Sequence, residues 1–100
     1  MVQNMHITNF QHFLDENGNI PTGIPKEARE LANFLALLID DATNGDYDAE
    51  PTIRCIKKGC EGLVVAFITH DTDEIYWVCP LCKTNGYITD WRGTKWDNCD

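Results

Sequence analysis

The stretch CIKKGC, residues 55–60, is separated by 18 residues from the stretch CPLC, residues 79–82. Zinc takes four thiolate or imidazole ligands in a tetrahedron, and two cysteines spaced two to four residues apart let one tight turn supply two of its corners. Two such turns complete the tetrahedron. The spacing therefore predicts one structural Zn²⁺ per chain, bound by the thiolates of Cys55, Cys60, Cys79 and Cys82.

The residues between the two pairs predict a β-hairpin. The runs 63–68 and 74–78 are rich in β-branched and aromatic residues, and the polar residues 70–73 between them suit a turn. The strands of a hairpin leave from one end and return to it, so both cysteine pairs are expected at the same end of a small sheet. A third strand is predicted at 87–91, after a turn at Asn85-Gly86.

Other states of the cysteines compete with zinc. Four free buried cysteines, disulfides, and iron in place of zinc are the alternatives, since four thiolates suit both metals. An odd count of five cysteines and an N-terminus without the features of a signal peptide argue against a disulfide framework. Cys99 is left over and is expected to be a free thiol, with a substitute ligand or an intermolecular bridge as alternatives. The segment from Ile53 onward is under about 50 residues, a length at which metal commonly supplies missing stability.

The first half of the chain predicts helices over residues 8–42. Thr8 and Gln11 fit a capping box for a short helix that Gly18 would end, and Pro25 suits the first position of a longer helix. Apolar residues recur at helical spacing along this longer helix: Ala28, Leu31, Ala32, Leu35, Leu38, Ile39 and Ala42. This stripe predicts a face that packs on the rest of the domain, with a dimer interface or a groove for a partner as the alternative.

Charge is distributed unevenly. Residues 1–50 carry nine acidic and two basic side chains and residues 51–100 carry seven and six, which together give the net charge of −8. Such a chain repels a phosphate backbone and an anionic membrane, so non-specific DNA binding is disfavoured. Residues 40–51 are acidic and contain Gly and Pro, which predicts a linker. No stretch is apolar enough for a membrane span, and a cytoplasmic location is expected.

The order of cysteine turn, hairpin, Cys-Pro-x-Cys turn and strand resembles a zinc ribbon. More narrowly, residues 75–82, 85–88 and 91–97 resemble small uncharacterised bacterial proteins with an N-terminal helical segment and a C-terminal zinc ribbon. The resemblance implies an α+β fold of N-terminal helices followed by a three-stranded antiparallel zinc ribbon. The implied domains are residues 1–50, a helical segment with the acidic linker, and residues 51–100, the ribbon.

Three functions are consistent with this sequence. A closed site of four thiolates leaves no position for substrate, so the chain is not expected to be an enzyme. A protein-interaction or regulatory adaptor with an unknown protein partner is the leading interpretation. A nucleic-acid-associated ribbon in transcription or translation is the alternative, with Trp91 and Trp96 as stacking residues among cations such as Lys57 and Lys58. A thiol-disulfide redox protein is the remote alternative, because the βαβ setting of such sites is missing.

Overall fold

The computed structural model of the protein describes residues 5–44 and 52–98, with Met5 and His6 described by their backbone alone. Strands precede and follow a single α-helix in this described part of the chain. The elements are β1 (Met5–Asn9), a 3₁₀ helix (Phe10–Phe13), α1 (Lys26–Thr43), β2 (Ile53–Arg54), β3 (Leu63–Thr69), β4 (Glu74–Val78) and β5 (Asn85–Thr89).

The five strands form one mixed sheet in the order β1-β5-β4-β3-β2. β1 runs parallel to β5, from Met5 beside Asn85 to Asn9 beside Thr89. The other neighbouring strands are antiparallel. The prediction of N-terminal helices followed by a three-stranded antiparallel zinc ribbon is therefore wrong: in residues 5–44 and 52–98 a strand comes first, one α-helix follows, and the sheet has five strands.

The error at the N-terminus comes from the capping pattern. Thr8 lies in β1 beside Ile88, and the capping residue is Asn9, whose side chain accepts a hydrogen bond from the Gln11 N–H at 2.9 Å. Asn9 caps a 3₁₀ helix of four residues and no α-helix. Pairing with β5 satisfies the backbone N–H and C=O groups of this segment, which removes the need for a local helix.

The longer helix is confirmed, one residue after the predicted start. Pro25 is the N-cap residue and α1 runs from Lys26 to Thr43. Residues 40–43 belong to this helix, so that part of the linker prediction is wrong; residues 45–51 lie outside the described residues. Leu35 and Leu38 of the predicted stripe are buried, whereas Leu37 is 54% exposed.

The hydrophobic core lies between α1 and one face of the sheet. Buried residues alternate along the strands, as expected when one face is covered. They include Val64 of β3, Ile75 and Trp77 of β4, and Ile88 of β5. The Phe34 ring of α1 meets Trp77 edge-on, with 5.2 Å between ring centroids. The apolar stripe of α1 is therefore a core-forming face.

The opposite face of the sheet, termed the open face, is covered by neither described helix. Ile7, Tyr87, Tyr76 and Phe67 lie side by side across β1, β5, β4 and β3. Ring centroids are 5.1 Å apart for the two tyrosines and 5.5 Å apart for Tyr76 and Phe67. Ile7 is 71% exposed and Phe67 47% exposed. An apolar row thus crosses a face that the described chain leaves to solvent.

The hairpin prediction is confirmed by β3 and β4, but the third strand begins earlier than predicted. Asn85-Gly86, predicted as a turn, opens β5, and Gly86 lies beside Trp77 on the neighbouring strand. A residue with no side chain leaves room next to a large indole, which is a packing reason for glycine inside a strand. Trp91 lies beyond the end of β5 at Thr89.

Residues 91–98 return to the helix layer. Trp91 is fully buried and its Nε1 donates a hydrogen bond to the Asp73 carbonyl oxygen at 3.0 Å. Trp96 packs edge-on against Phe10, with 5.4 Å between centroids. The Asn98 backbone N–H donates to the Thr43 hydroxyl at 3.0 Å, which ties this segment to the end of α1. Among the described helices, none is long and apolar enough to cross a membrane.

Candidate metal centre

The first cysteine turn connects β2 to β3. Cys55 follows β2 directly, and its backbone N–H donates to the Gly62 carbonyl at 2.9 Å, which brings the ends of the turn together. Inside the turn, the Cys60 N–H donates to the Lys57 carbonyl at 3.0 Å. Gly59 has a φ of +85°, a backbone conformation that favours glycine. The turn therefore places both thiols on the same side.

The second cysteine turn connects β4 to β5. The Cys79 N–H donates to the Thr84 carbonyl and the Lys83 N–H donates to the Cys79 carbonyl, each at 2.8 Å. Lys83 takes the left-handed conformation inside this turn, with a φ of +69°. Because β3 pairs with β4, this turn lies at the same end of the sheet as the first one.

The structure brings all four predicted ligands together. Cys55 Sγ and Cys82 Sγ are 3.6 Å apart, as are Cys60 Sγ and Cys79 Sγ. All four sulfur atoms lie within 4.8 Å of one another. A tetrahedron with Zn–S bonds of about 2.3 Å separates its sulfur atoms by about 3.8 Å. The donor set and spacing therefore fit one tetrahedral metal ion, held by one residue pair from each turn.

Hydrogen bonds around the sulfur atoms favour thiolates. The backbone N–H of Lys57 donates to Cys55 Sγ at 3.4 Å, and that of Gly62 donates to Cys60 Sγ at 3.3 Å. Cys82 Sγ and the Thr84 hydroxyl form a hydrogen bond at 3.1 Å. Such outer contacts orient metal ligands and stabilise their charged form. Thr84 was not singled out from the sequence, since a threonine two residues after a cysteine carries no recognisable pattern.

The thiols differ in acidity before an ion binds. Burial raises the pKa of Cys55 to about 12, against the lowering effect of the Lys57 N–H. The pKa of Cys60 is also raised, because burial and neighbouring thiols outweigh the lowering effect of the Gly62 N–H. Hydrogen bonds from the Thr84 side chain and backbone lower the pKa of Cys82 to about 6. At neutral pH, Cys82 is thus a thiolate while Cys55 and Cys60 still carry their protons.

Metal affinity is expected to fall steeply as pH falls. Binding must displace at least the protons of Cys55 and Cys60, so the apparent affinity should rise by at least about 100-fold per pH unit between roughly pH 6.5 and 7.5. Below about pH 6 the Cys82 thiolate is protonated too, and the dependence should steepen. Competition with a chromophoric chelator at several pH values measures this slope. A change in affinity of less than tenfold per pH unit would contradict the release of these two protons when the metal binds.

Gly62 is required for space. A Cβ atom at this position would lie 2.5 Å from Cys79 Sγ and 2.9 Å from Leu81 Cβ, closer than atoms can approach. Its φ is not in the left-handed region, in contrast to that of Gly59 in the same turn, so Gly62 is needed for space and not for its backbone angle. The first turn can therefore approach the second only because residue 62 lacks a side chain.

Other residues considered from the sequence do not join this centre. Cys99 lies outside the described residues. Trp91 is fully buried, so the interpretation of its ring as a stacking surface for bases is wrong, and the half-buried Trp96 contacts Phe10. Within residues 5–44 and 52–98, the four cysteines are the group whose ligand atoms converge.

Comparison of the chain with protein-family models, with curated proteins and with solved structures found no match. The resemblance to bacterial zinc-ribbon proteins thus stays a prediction. The assignment of a metal centre rests on the positions of the four sulfur atoms.

Proposed function

We propose that this chain is a structural zinc protein that acts as a protein-interaction or adaptor module, with the open face of its sheet as the binding surface. The single observation that carries the proposal is the uncovered row of Ile7, Tyr87, Tyr76 and Phe67. In this proposal the metal holds the ends of β2, β3, β4 and β5 together and takes no part in chemistry. Four thiolates fill a tetrahedron and leave no position for water or substrate, which supports a structural role.

The composition of the open face favours a protein partner. Contiguous exposed apolar surface is characteristic of interaction sites, and aromatic residues are enriched in the centres of protein interfaces. The row continues toward the metal centre through the half-buried Val65 and Val78, and Leu63 at its margin is 43% exposed. Tyrosine combines a large apolar ring with a hydroxyl, which suits a surface that is wet when free and covered when bound.

Charge on the open face offers little to a nucleic acid. Arg54 lies at its margin beside Leu63, and its guanidinium is 3.7 Å from the Glu61 carboxylate. Glu74, at the far end of β4, adds a negative charge to the same face. Single-strand binding needs cations along a backbone path beside the stacking rings. The nucleic-acid alternative therefore has weaker support than the protein-interaction proposal.

Position-specific crosslinking tests the binding surface. A photo-reactive phenylalanine analogue placed at Phe67 should capture a discrete protein in cells of the source organism. The matched control carries the analogue at Leu37, which is also apolar and exposed but lies on α1, in the other layer. We expect an adduct from the analogue at residue 67 and none from the analogue at residue 37. The adduct at residue 67 should be lost when the substitution Tyr87→Lys is added. An adduct of equal strength at both positions, or one removed by nuclease, would contradict the proposal.

A further inference from the structure

A cavity of about 430 Å³ lies on the helix side of the sheet, next to the first cysteine turn. Its apolar walls come from Leu31 and Leu35 of α1, Ile56 of the turn and Trp77 of β4. Leu35 and Trp77 are 1% and 2% exposed and belong to the core, so the inner wall is fixed by packing. Small-molecule sites in proteins occupy roughly 300–1,000 Å³ and are mostly apolar with a few polar groups. The size and lining of this cavity fall within that description.

Three described residues that line the cavity are polar, and one of them is charged. Thr8 and Thr84 contribute hydroxyl-bearing side chains, and Lys57 is the charged residue among the described residues that line it. The Lys57 backbone is held by its N–H···S hydrogen bond to Cys55. A lysine ammonium is a point charge on a flexible stem that attracts a carboxylate, and the exposed Lys57 side chain starts at the rim of the apolar walls.

From this arrangement we propose that the cavity is a binding site for a small amphipathic carboxylate. The alkyl or aryl body lies against Leu31, Leu35, Ile56 and Trp77, and the carboxylate lies at Lys57. A positive side chain beside an apolar cavity is a local complementarity that favours an anion over a neutral or cationic compound, and it acts against the chain's net charge of −8. This site is separate from the open face, because Trp77 projects to the helix side and Tyr76 to the other.

Octanoate is the probe for the test, with octanol as its uncharged counterpart. The full chain carrying its metal is titrated while amide and indole resonances are followed by NMR. We expect saturable shifts at residues 31, 35, 56 and at the Trp77 indole, without shifts at Phe67 or Tyr76. Because a charge-assisted contact is lost, Lys57→Met should weaken octanoate binding about tenfold. Octanol should bind the unmodified chain about as weakly as octanoate binds that variant.

Lys58→Met is the matched control. Lys58 is the next residue in the same turn and does not line this cavity, so its loss should change octanoate affinity by less than about twofold. Equal weakening by the two variants would mean that octanoate is attracted by the overall positive charge of the turn and not by a contact with Lys57. That result would overturn the proposal. Shifts that do not saturate, shifts centred on the open face, or octanol binding as tight as octanoate binding would overturn it as well. The octanol comparison uses the unmodified chain and so does not depend on the folding of a variant.

Discussion

Replacement of Cys79 with serine is expected to abolish metal binding and unfold the sheet. Cys79 is fully buried, its Sγ lies 3.6 Å from that of Cys60, and its backbone groups close the second cysteine turn. Structural zinc contributes an apparent ~10–16 kcal/mol in finger peptides, against a total stability of about 5–15 kcal/mol for a typical domain. Loss of one of the four ligands therefore removes a contribution comparable with the whole free energy of unfolding of a domain.

Two measurements check this expectation. Elemental analysis of the unmodified chain, purified without added metal, should give one zinc per chain, and the variant should give close to none. Amide NMR dispersion should collapse for the residues of β3, β4 and β5 in the variant. Cys99→Ser is the matched control: Cys55, Cys60, Cys79 and Cys82 suffice to fill a tetrahedron, so the variant should keep both metal and dispersion. One iron per chain would overturn zinc, and a folded, metal-loaded Cys79→Ser variant would overturn the four-thiolate site.

Leu38→Ala is expected to lower the free energy of unfolding by about 2–5 kcal/mol. Leu38 is fully buried in the core between α1 and the sheet. Truncation of a buried leucine removes its transfer free energy and leaves a cavity, which accounts for this range. Urea unfolding followed by circular dichroism, at fixed metal concentration and pH, gives the difference between variant and unmodified chain.

Leu37→Ala provides the comparison within the same helix. Leu37 is 54% exposed, so the same substitution one residue earlier should change the free energy of unfolding by no more than about 0.5 kcal/mol. Helix propensity changes equally in both variants, so the difference between them reports burial alone. Similar losses at residues 37 and 38 would contradict the packing of α1 on the sheet described above.

The four cysteine ligands and the hairpin could be predicted from the sequence, because the residues that form each of these features lie close together along the chain. Each cysteine pair lies within one turn, and the hairpin between them has two runs of β-branched and aromatic residues and a polar turn at residues 70–73. The start of α1 was likewise marked by Pro25, and its buried face by apolar spacing. In all these cases, residues close in sequence determine the structure of their own segment.

The strands that escaped prediction lack such local information. β1 has five residues, and its one partner among the described strands is β5, which is distant in sequence, so nothing within β1 distinguishes a strand from the start of a capped helix. β2 has two residues and is recognisable only beside β3. Asn85-Gly86 is a common hairpin turn, but here the space beside Trp77 decides the role of Gly86. Tertiary context overrode the local preference at these positions.

The parallel pairing of β1 with β5 determines the order in which the strands can pair during synthesis. Met5 pairs with Asn85, a separation of 80 residues, so β1 has no strand partner until the last strand has been made. At a synthesis rate of about 5–20 residues per second, the ribosome needs roughly 4–16 s to cover that interval. The hairpin and both cysteine turns are complete before β5 in this sequence of events. Closure of the sheet by β1 is therefore a late step of biogenesis, and until β5 has been made the nascent chain exposes the edge of β4 that β5 will cover.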